Sequence, residues 1–410
     1  MRIGFLFNHD QIHQVAHSLP IALAMAKAQP GNDVIVATTN ARLRAEADRI
    51  VAEVGGAGTV QFVDLRLRSA ISRGIAGLLN RYLPAAKLAI YRDHLPFFAS
   101  LDALVVAEKT SLILRSRYGL DRLKLIHTRH GAGDRAIGFN AASARFDHVL
   151  VSGPKVRDRL IEDAGVAPDD ISMVGYPKFD LIPKKPFRLP LQANGRPTVL
   201  YNPHVSPHLS SWYRDGRGVL DFFVEHPEYN LIFAPHVMLF ERPFALTIDK
   251  LRIDRPGAIA DKYRDAPNIH IDLGSRLSTD MTYTLAADLY LGDVSSQVYE
   301  FLVQPRPCIF LNSHRVNFVG DPNYAHWQAG QVISEPLELG DALADASGRQ
   351  PQYAPVQDRL FRESFDLTST SSSIRAVQAI MSFVRNSSPE VAPPHPPPQL
   401  HDETPRWAAA

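Results

Sequence analysis

The chain of 410 residues holds one cysteine, Cys308. No internal disulfide can form, and its place in the apolar run Pro307-Cys308-Ile309-Phe310-Leu311 fits a small core residue. A reducing cytoplasm is the expected compartment. Neither charge sign dominates: 44 basic residues face 43 acidic ones, for a net charge of +1. The basic footprint that nucleic-acid binding needs is missing, so no nucleic-acid partner is expected. No run reaches the roughly 18 apolar residues of a transmembrane helix. The amino terminus, Met1-Arg2-Ile3-Gly4-Phe5, lacks a signal peptide's long apolar region and cleavage site. Membrane contact, if any, is then peripheral, on the inner face of the cell membrane. G-x-G-x-x-G and His-Glu-x-x-His are both absent, and no Cys/His cluster has structural-zinc spacing. Of the 16 histidines, His204 and His208 lie four apart, but in a loop broken by prolines. Neither a metal nor a cofactor is expected.

What is present is a soluble, globular composition, 45% hydrophobic and 21% charged. The length suffices for two domains, each with its own core. In the first half, apolar runs at 2–8, 34–38, 59–65, 101–107, 123–126 and 147–152 alternate with helical patterns such as Gln14 to Ala28 and Ala41 to Val54. That alternation predicts a parallel sheet with crossover helices. The polar loop Asn8-His9-Asp10-Gln11-Ile12-His13 then leaves the carboxyl edge, where open α/β sheets bind ligands. Residues 66–100 combine Arg, Leu and Ala with Tyr82, Tyr91, Phe97 and Phe98. Such a stretch suits a membrane surface or an acceptor chain, or a helix pair with a solvated face. A Pro-rich segment from Leu181 to Pro197 reads as a linker. A second α/β unit follows, with strands at 199–202, 231–234, 269–272, 286–292 and 307–311 and one helical stretch at 360–384. From Asn386 the Pro-rich tail cannot bury enough apolar surface to order itself. The expected division is 1–182, 183–385 and a disordered tail, 386–410.

Three stretches carry candidate chemistry. Asp293, Ser295 and Ser296 follow a short apolar strand and precede a helical pattern from Gln297. The first N–H groups of a helix lack intrahelical partners, which favours an anion there. Glu300, one turn on, is placed to accept hydrogen bonds from ribose hydroxyls. The plainer role for Asp293 or Ser295 is a helix cap. In the first half, the strand at 123–126 runs into His127-Thr128-Arg129-His130-Gly131-Ala132-Gly133. Gly131 lets backbone approach a ligand. His130 suits a general base, or a plain hydrogen bond to neighbouring backbone. An anion held at these turns needs positive potential, for which Arg129, Arg135 and Arg315 are candidates.

Taken in order, these motifs resemble the CDP-glycerol glycerophosphotransferases. Gly175-Tyr176-Pro177-Lys178-Phe179-Asp180 is similar to their Gly-x-Pro-x-x-Asp turn, and Tyr201-Asn202-Pro203-His204 to their Tyr-x-Pro-Thr segment. Ala234-Pro235-His236 falls where they carry Lys-x-His-Pro. Ala287-Asp288 through Glu300, with Pro305-Arg306-Pro307, resembles their Ala-Asp…Asp-Tyr-Ser-Ser…Arg-Pro block, and His130-Gly131 their His-Gly turn. The resemblance covers about residues 123–312. It departs at His204, which replaces Thr, at Val294, which replaces Tyr, and around His236, where Lys and Pro are missing.

The resemblance implies a GT-B-like α/β fold, two Rossmann-like domains facing across a cleft. It implies transfer of glycerol phosphate from CDP-glycerol, or a related nucleotide donor, to a hydroxyl of a cell-surface polymer or glycolipid acceptor, with release of CMP. His130 would be the base and His236 would bind or polarise the donor phosphates. Gly131, Arg135, Tyr176, Pro177, Asn202, His204, Asp293, Ser295, Ser296 and Glu300 would line the substrate. A sugar transferase or nucleotide-sugar epimerase of the same fold, and a non-catalytic nucleotide- or polymer-binding partner, are the competing readings.

Overall fold

A computed structural model describes residues 1–9, 11–56, 58–67, 85–129, 131, 133–134, 138–183, 187–241, 243–247 and 252–387. Its first sheet contains β1 (Arg2–Phe7), β2 (Asp33–Thr38), β3 (Gln61–Asp64), β4 (Ala103–Val106), β5 (Lys124–Thr128), β6 (His148–Val151) and β7 (Ile171–Met173). All pairs are parallel, in the order β3-β2-β1-β4-β5-β6-β7. In the second half come β8 (Thr198–Asn202), β9 (Asn230–Phe233), a small antiparallel pair β10 (Ala245–Thr247) and β11 (Arg252–Asp254), then β12 (Ile269–Ile271), β13 (Leu289–Gly292), β14 (Cys308–Leu311) and β15 (Gln331–Ile333). The second parallel sheet runs β12-β9-β8-β13-β14-β15. Two doubly wound sheets with helices against them confirm the expected pair of Rossmann-like domains.

The strands read as apolar runs because both faces of each sheet are covered. Along β1, Ile3, Phe5 and Phe7 enter one core and Leu6 the other. In the second half, Leu200 and Ile232 face one side, and Val199, Leu231 and Phe233 the other. Cys308 is fully enclosed, and burial pushes its thiol up from its ordinary value.

Each sheet reverses its winding once, between β1 and β4 in the first and between β8 and β13 in the second. Loops leaving the strand ends on either side of such a switch diverge and leave a crevice. The two crevices face one another.

Several elements differ from the sequence-based expectation. The stretch 360–384 is not one helix. It contains the end of Leu339–Ser364 and the start of Ser372–Ser387. Pro351 and Pro355 lie inside the first of these, which local chemistry alone would end there. Leu339, Ala342, Leu343 and Leu360 hold it against the second sheet's cores. The last helix returns to the first domain: Ala376, Val377, Ile380, Met381 and Val384 share a core with Ile3, Phe5 and Leu19. Its start is capped by Asp180, whose carboxylate accepts from the Ser372 and Ser373 N–H groups at 3.3 and 2.7 Å. Gly175 has φ of +80°, and a Cβ there would lie 2.4 Å from Ser372 Oγ. The Gly-x-Pro-x-x-Asp turn is thus the joint at which the helix Ser372–Ser387 rejoins the first sheet.

Of the basic and aromatic stretch 66–100, residues 68–84, including Tyr82, lie outside the described residues. The rest forms helices Ala85–Asp93 and Leu95–Ala99, with Tyr91 and Phe98 buried in the first domain's core. No described helix is long and apolar enough to cross a membrane. Within the tail, residues 388–410 lie outside the described residues.

The returning helix supplies a direct test. Ile380→Ala is expected to lower unfolding free energy by about 2–5 kcal/mol. Urea titration followed by amide exchange in β1 reads it, and an unmoved β1 transition would show that this helix is no part of the first core.

Candidate functional site

A cavity of about 580 Å³ lies between the two winding reversals. From the first domain it is lined by Ala107, Glu108 and Lys109 after β4, and by Arg129, Gly131, Gly133 and Asp134 after β5. From the second it is lined by His204 after β8, His236 after β9, Val294, Ser295 and Ser296 after β13, and by Tyr299 and His326. The glycine turn and the Ser296 turn are in contact range. A Cβ on Gly131 would lie 3.8 Å from Ser296 Oγ, and one on Gly133 only 3.1 Å from Ser296 Cβ. Gly131 has φ of +78°, in the region that favours glycine. His130 and Arg135 lie outside the described residues.

The polar residues divide into those that hold the walls and those that face the opening. Asp293 is a wall residue. It is fully buried, and its carboxylate accepts from the N–H groups of His204 (2.9 Å), Ser211 (2.6 Å) and Val294 (2.6 Å), and from Ser211 Oγ (2.9 Å). Burial pushes this carboxyl up, against the pull of those hydrogen bonds. Asp293 therefore orients the turn and the loop opposite it. Ser295 Oγ donates to Asn202 Oδ1 at 2.6 Å, and Asn202 Nδ2 donates to the Ala234 carbonyl at 2.6 Å. Asn202 thus ties three strand ends together instead of lining the substrate.

Tyr176, Pro177 and Glu300 also lie away from the cavity. The Glu300 carboxylate is buried and accepts from Lys178 Nζ (2.7 and 2.8 Å) and Tyr176 OH (2.9 Å). Its oxygens are occupied by the joint between the domains, so it does not meet a ribose. Arg306 is equally structural. Its guanidinium donates to carbonyls of Thr284, Ala287 and Phe301 and stacks on the Phe301 ring, and burial pushes it down to about 10. Arg315 is exposed and reaches Glu335 at 3.4 Å.

The helix after Ser296 spans only Gln297–Phe301. Five residues sum to a small dipole, so its start contributes mainly individual N–H groups. Ser296 faces the cavity and is exposed, with no capping hydrogen bond from its side chain.

The cationic groups are the opening's main feature. Lys109 Nζ donates to Gly138 O (3.2 Å) and Asn140 Oδ1 (2.8 Å), and Arg129 Nη1 donates to the same Gly138 carbonyl at 2.8 Å. Neither forms an ion pair with a carboxylate among the described residues. Burial, and then the repulsion of Arg129, lowers the Lys109 ammonium. Burial and Arg159 push Arg129 down to about 10. Two half-buried cations sharing one carbonyl leave a positive potential that an anion would neutralise.

His204 and His236 face this potential from the other domain, ring centroids 6.0 Å apart. In both, Nδ1 accepts a backbone N–H two residues on, Ser206 at 3.0 Å and Met238 at 3.3 Å. That puts the neutral ring's hydrogen on Nε2. Burial pushes His236 down to about 4, so at neutral pH it is an uncharged donor.

Sequence reasoning missed Lys109, Asp134, Lys155, Tyr299 and His326. The Asp134 carboxylate, buried between the domains, accepts from Lys155 Nζ (2.8 Å), Tyr299 OH (2.7 Å) and His326 Nδ1 (2.8 Å). Burial opposes its charge, but Lys155 and His326 outweigh it and hold the carboxyl well below the usual range. His326 Nε2 and Trp327 Nε1 reach the Asp293 carbonyl at 3.0 and 2.6 Å. The sequence signal was the Asp that follows His-Gly-x-Gly, but two of its three side-chain partners lie 165 and 192 positions away. Among the described residues, no group of three or more His, Cys, Asp or Glu is placed to hold a metal ion.

This architecture is the GT-B fold, and solved structures of that class superpose on nearly the whole chain. No protein-family model matches the sequence, and no curated protein matches it. The wall teichoic acid polymerase TagF aligns with TM-score 0.56 and 14% identity, over 94% of this chain and 89% of that one. A TagF variant soaked with CDPG aligns at 0.58 and 15%, with the same coverage. MnaA from S. aureus, solved with UDP, gives 0.60 and 12%, over 94% and 97%. The glycotransferase of kitacinnamycin gives 0.52 and 13%, over 93% and 98%.

Two measurements check the assignments. Glu300→Ala leaves the Lys178 ammonium buried without its counter-charge and is expected to cost about 3–5 kcal/mol in urea unfolding. Removing both charges in Lys178→Met/Glu300→Leu is expected to recover most of it. For His236, an unfolded imidazole titrates near 6.5 and the folded one near 4. The unfolded chain takes up the proton first, so this group's contribution to stability is full above 6.5 and is lost as pH falls toward 4. An NMR titration should place the His236 midpoint near 4 in the free protein and move it up when a phosphate occupies the cavity.

Proposed function

We propose that this protein transfers glycerol phosphate, or a related polyol phosphate, from CDP-glycerol to a hydroxyl of a cell-surface polymer or glycolipid, releasing CMP. The observation that carries the reading is the pair Lys109 and Arg129. They stand without carboxylate partners among the described residues, across one cavity from the Nε2 sides of His204 and His236. A diphosphate bridging the domains meets cations on one side, and the two imidazole rings and the Ser296 turn on the other. The acceptor oxygen attacks the phosphorus of the glycerol phosphate unit and its proton passes to a base, for which His130 beside Gly131 is the candidate. The bond to the CMP oxygen breaks, and the charge that builds there is stabilised by fixed N–H donors and cations in a partly enclosed site. The likeness to TagF, one variant of which was soaked with CDPG, supports the donor class.

A second reading, action on a nucleotide sugar, is favoured by the likeness to MnaA solved with UDP. Thermal shifts with CDP-glycerol, CDP, UDP and GDP separate the two. Cytidine nucleotides should give the largest shift, and Lys109→Ala and Arg129→Ala should each weaken it about tenfold or more in Kd. His130→Ala should keep the shift and lose CMP release by about a hundredfold or more. A dominant uridine shift would transfer the assignment to the nucleotide-sugar reading. Full transfer activity in His130→Ala would remove that residue as the base.

A further inference from the structure

We infer that Gly138, Phe139 and Asn140 form a cradle of neutral groups that positions Lys109 and Arg129 for the donor's phosphates and leaves their charges uncancelled. This rests on the donor half of the reading above and adds positioning residues that act through its two cations. The segment precedes the helical turn Ala141–Arg145, and Gly138 and Asn140 line the cavity with Lys109 and Arg129. The Gly138 carbonyl accepts from Lys109 Nζ at 3.2 Å and from Arg129 Nη1 at 2.8 Å. Asn140 Oδ1 accepts from the same Nζ at 2.8 Å and from the Ala142 N–H at 3.2 Å, so one atom holds the lysine and caps the turn. Between these two residues, the buried Phe139 ring lies 4.2 Å from the Arg129 guanidinium carbon and 4.3 Å from that of Arg159.

Position 138 needs the absence of a side chain. A Cβ there would lie 2.7 Å from Arg129 Nη2, with Cζ at 3.8 Å and Nη1 at 4.0 Å. Nη2 ends a long, rotatable side chain, so the guanidinium would move before the backbone did. The three holding groups are a carbonyl, an amide and an aromatic face. Each orients a cation without carrying net charge. A carboxylate in their place would hold the cations equally well and cancel the potential that an anion needs. Burial, and then the Arg159 charge, oppose the charge on Arg129. Arg159 is itself met by Asp163 at 3.0 Å. A phosphate arriving beside Arg129 relieves both penalties.

The test measures Kd for CDP and for inorganic pyrophosphate in single and double variants, with melting temperature alongside. Gly138→Ala should weaken both ligands about tenfold in the wild-type background. In an Arg129→Ala background it should change them by less than about twofold, because it acts through that arginine. Asn140→Asp keeps a capping oxygen and adds a charge beside Lys109, and should weaken both ligands about fivefold. Asn140→Ser also keeps a capping oxygen, adds no charge and should cost less than Asn140→Asp. Equal losses from Gly138→Ala with and without Arg129 overturn the inference. So does an Asn140→Asp variant that binds as the wild type does, or a fall in melting temperature with both Kd values unmoved, which marks a structural turn. If the wild type binds pyrophosphate but shows no preference for CDP over UDP, the cytidine donor falls and the cradle stands. If CDP binds and the Gly138→Ala losses are additive, the donor reading stands and the cradle falls. If neither ligand binds, both fall.

Discussion

The cleft depends on one buried carboxylate. Asp134 leaves the first sheet and finds two of its three side-chain partners on the second domain. A charge at that depth is tolerated only when every lone pair is met. That requirement fixes where Tyr299 and His326 stand. Tyr299 lies in the short helix just past Ser296, so the same tie presses the Ser296 turn against Gly131 and Gly133. His326 carries the link on to the Asp293 carbonyl, and the Asp293 carboxylate in turn holds the loop that presents His204. One chain of satisfied polar groups thus sets the distance between the two loop clusters that line the cavity.

A division of labour follows. Asp293, Glu300, Asn202 and Arg306 direct their side chains to protein partners in the framework. Facing the opening are two cations without carboxylate partners among the described residues, and two imidazoles whose Nδ1 atoms accept from backbone. A buried network that is complete resists rearrangement, whereas an incomplete one gains free energy when a complementary ligand arrives. The cavity's incompleteness is electrostatic, and it is the physical basis for proposing an anionic ligand there.

How far the site could be read beforehand varied with the range of the interactions. The strand ends and their polar turns were legible, because an apolar run that stops at Asp, Ser, His or Gly marks a carboxyl edge whatever surrounds it. The roles of Glu300 and Tyr176 were not. A carboxylate one turn into a helix looks equally available to a ribose or to a lysine, and only the fold brought Lys178 to it. Lys109 carried no motif, and its importance comes from sharing a carbonyl with Arg129. The helix Leu339–Ser364 was obscured by Pro351 and Pro355, whose local cost is offset by burial against the second sheet.

By itself the sequence determined two parallel sheets with crossover helices, because strand and helix periodicities are local and each apolar run had to be buried on both faces. It also determined that polar turns would crowd the carboxyl edges. Only the tertiary structure decided which of those polar groups are consumed in the framework and which stay open to a ligand. That choice rests on partners far apart in the chain: Asp134 with His326, Glu300 with Lys178, and the last helix with the first strand. Hydrogen-bond capacity and charge compensation are properties of a neighbourhood, and the neighbourhood exists only once both domains have packed.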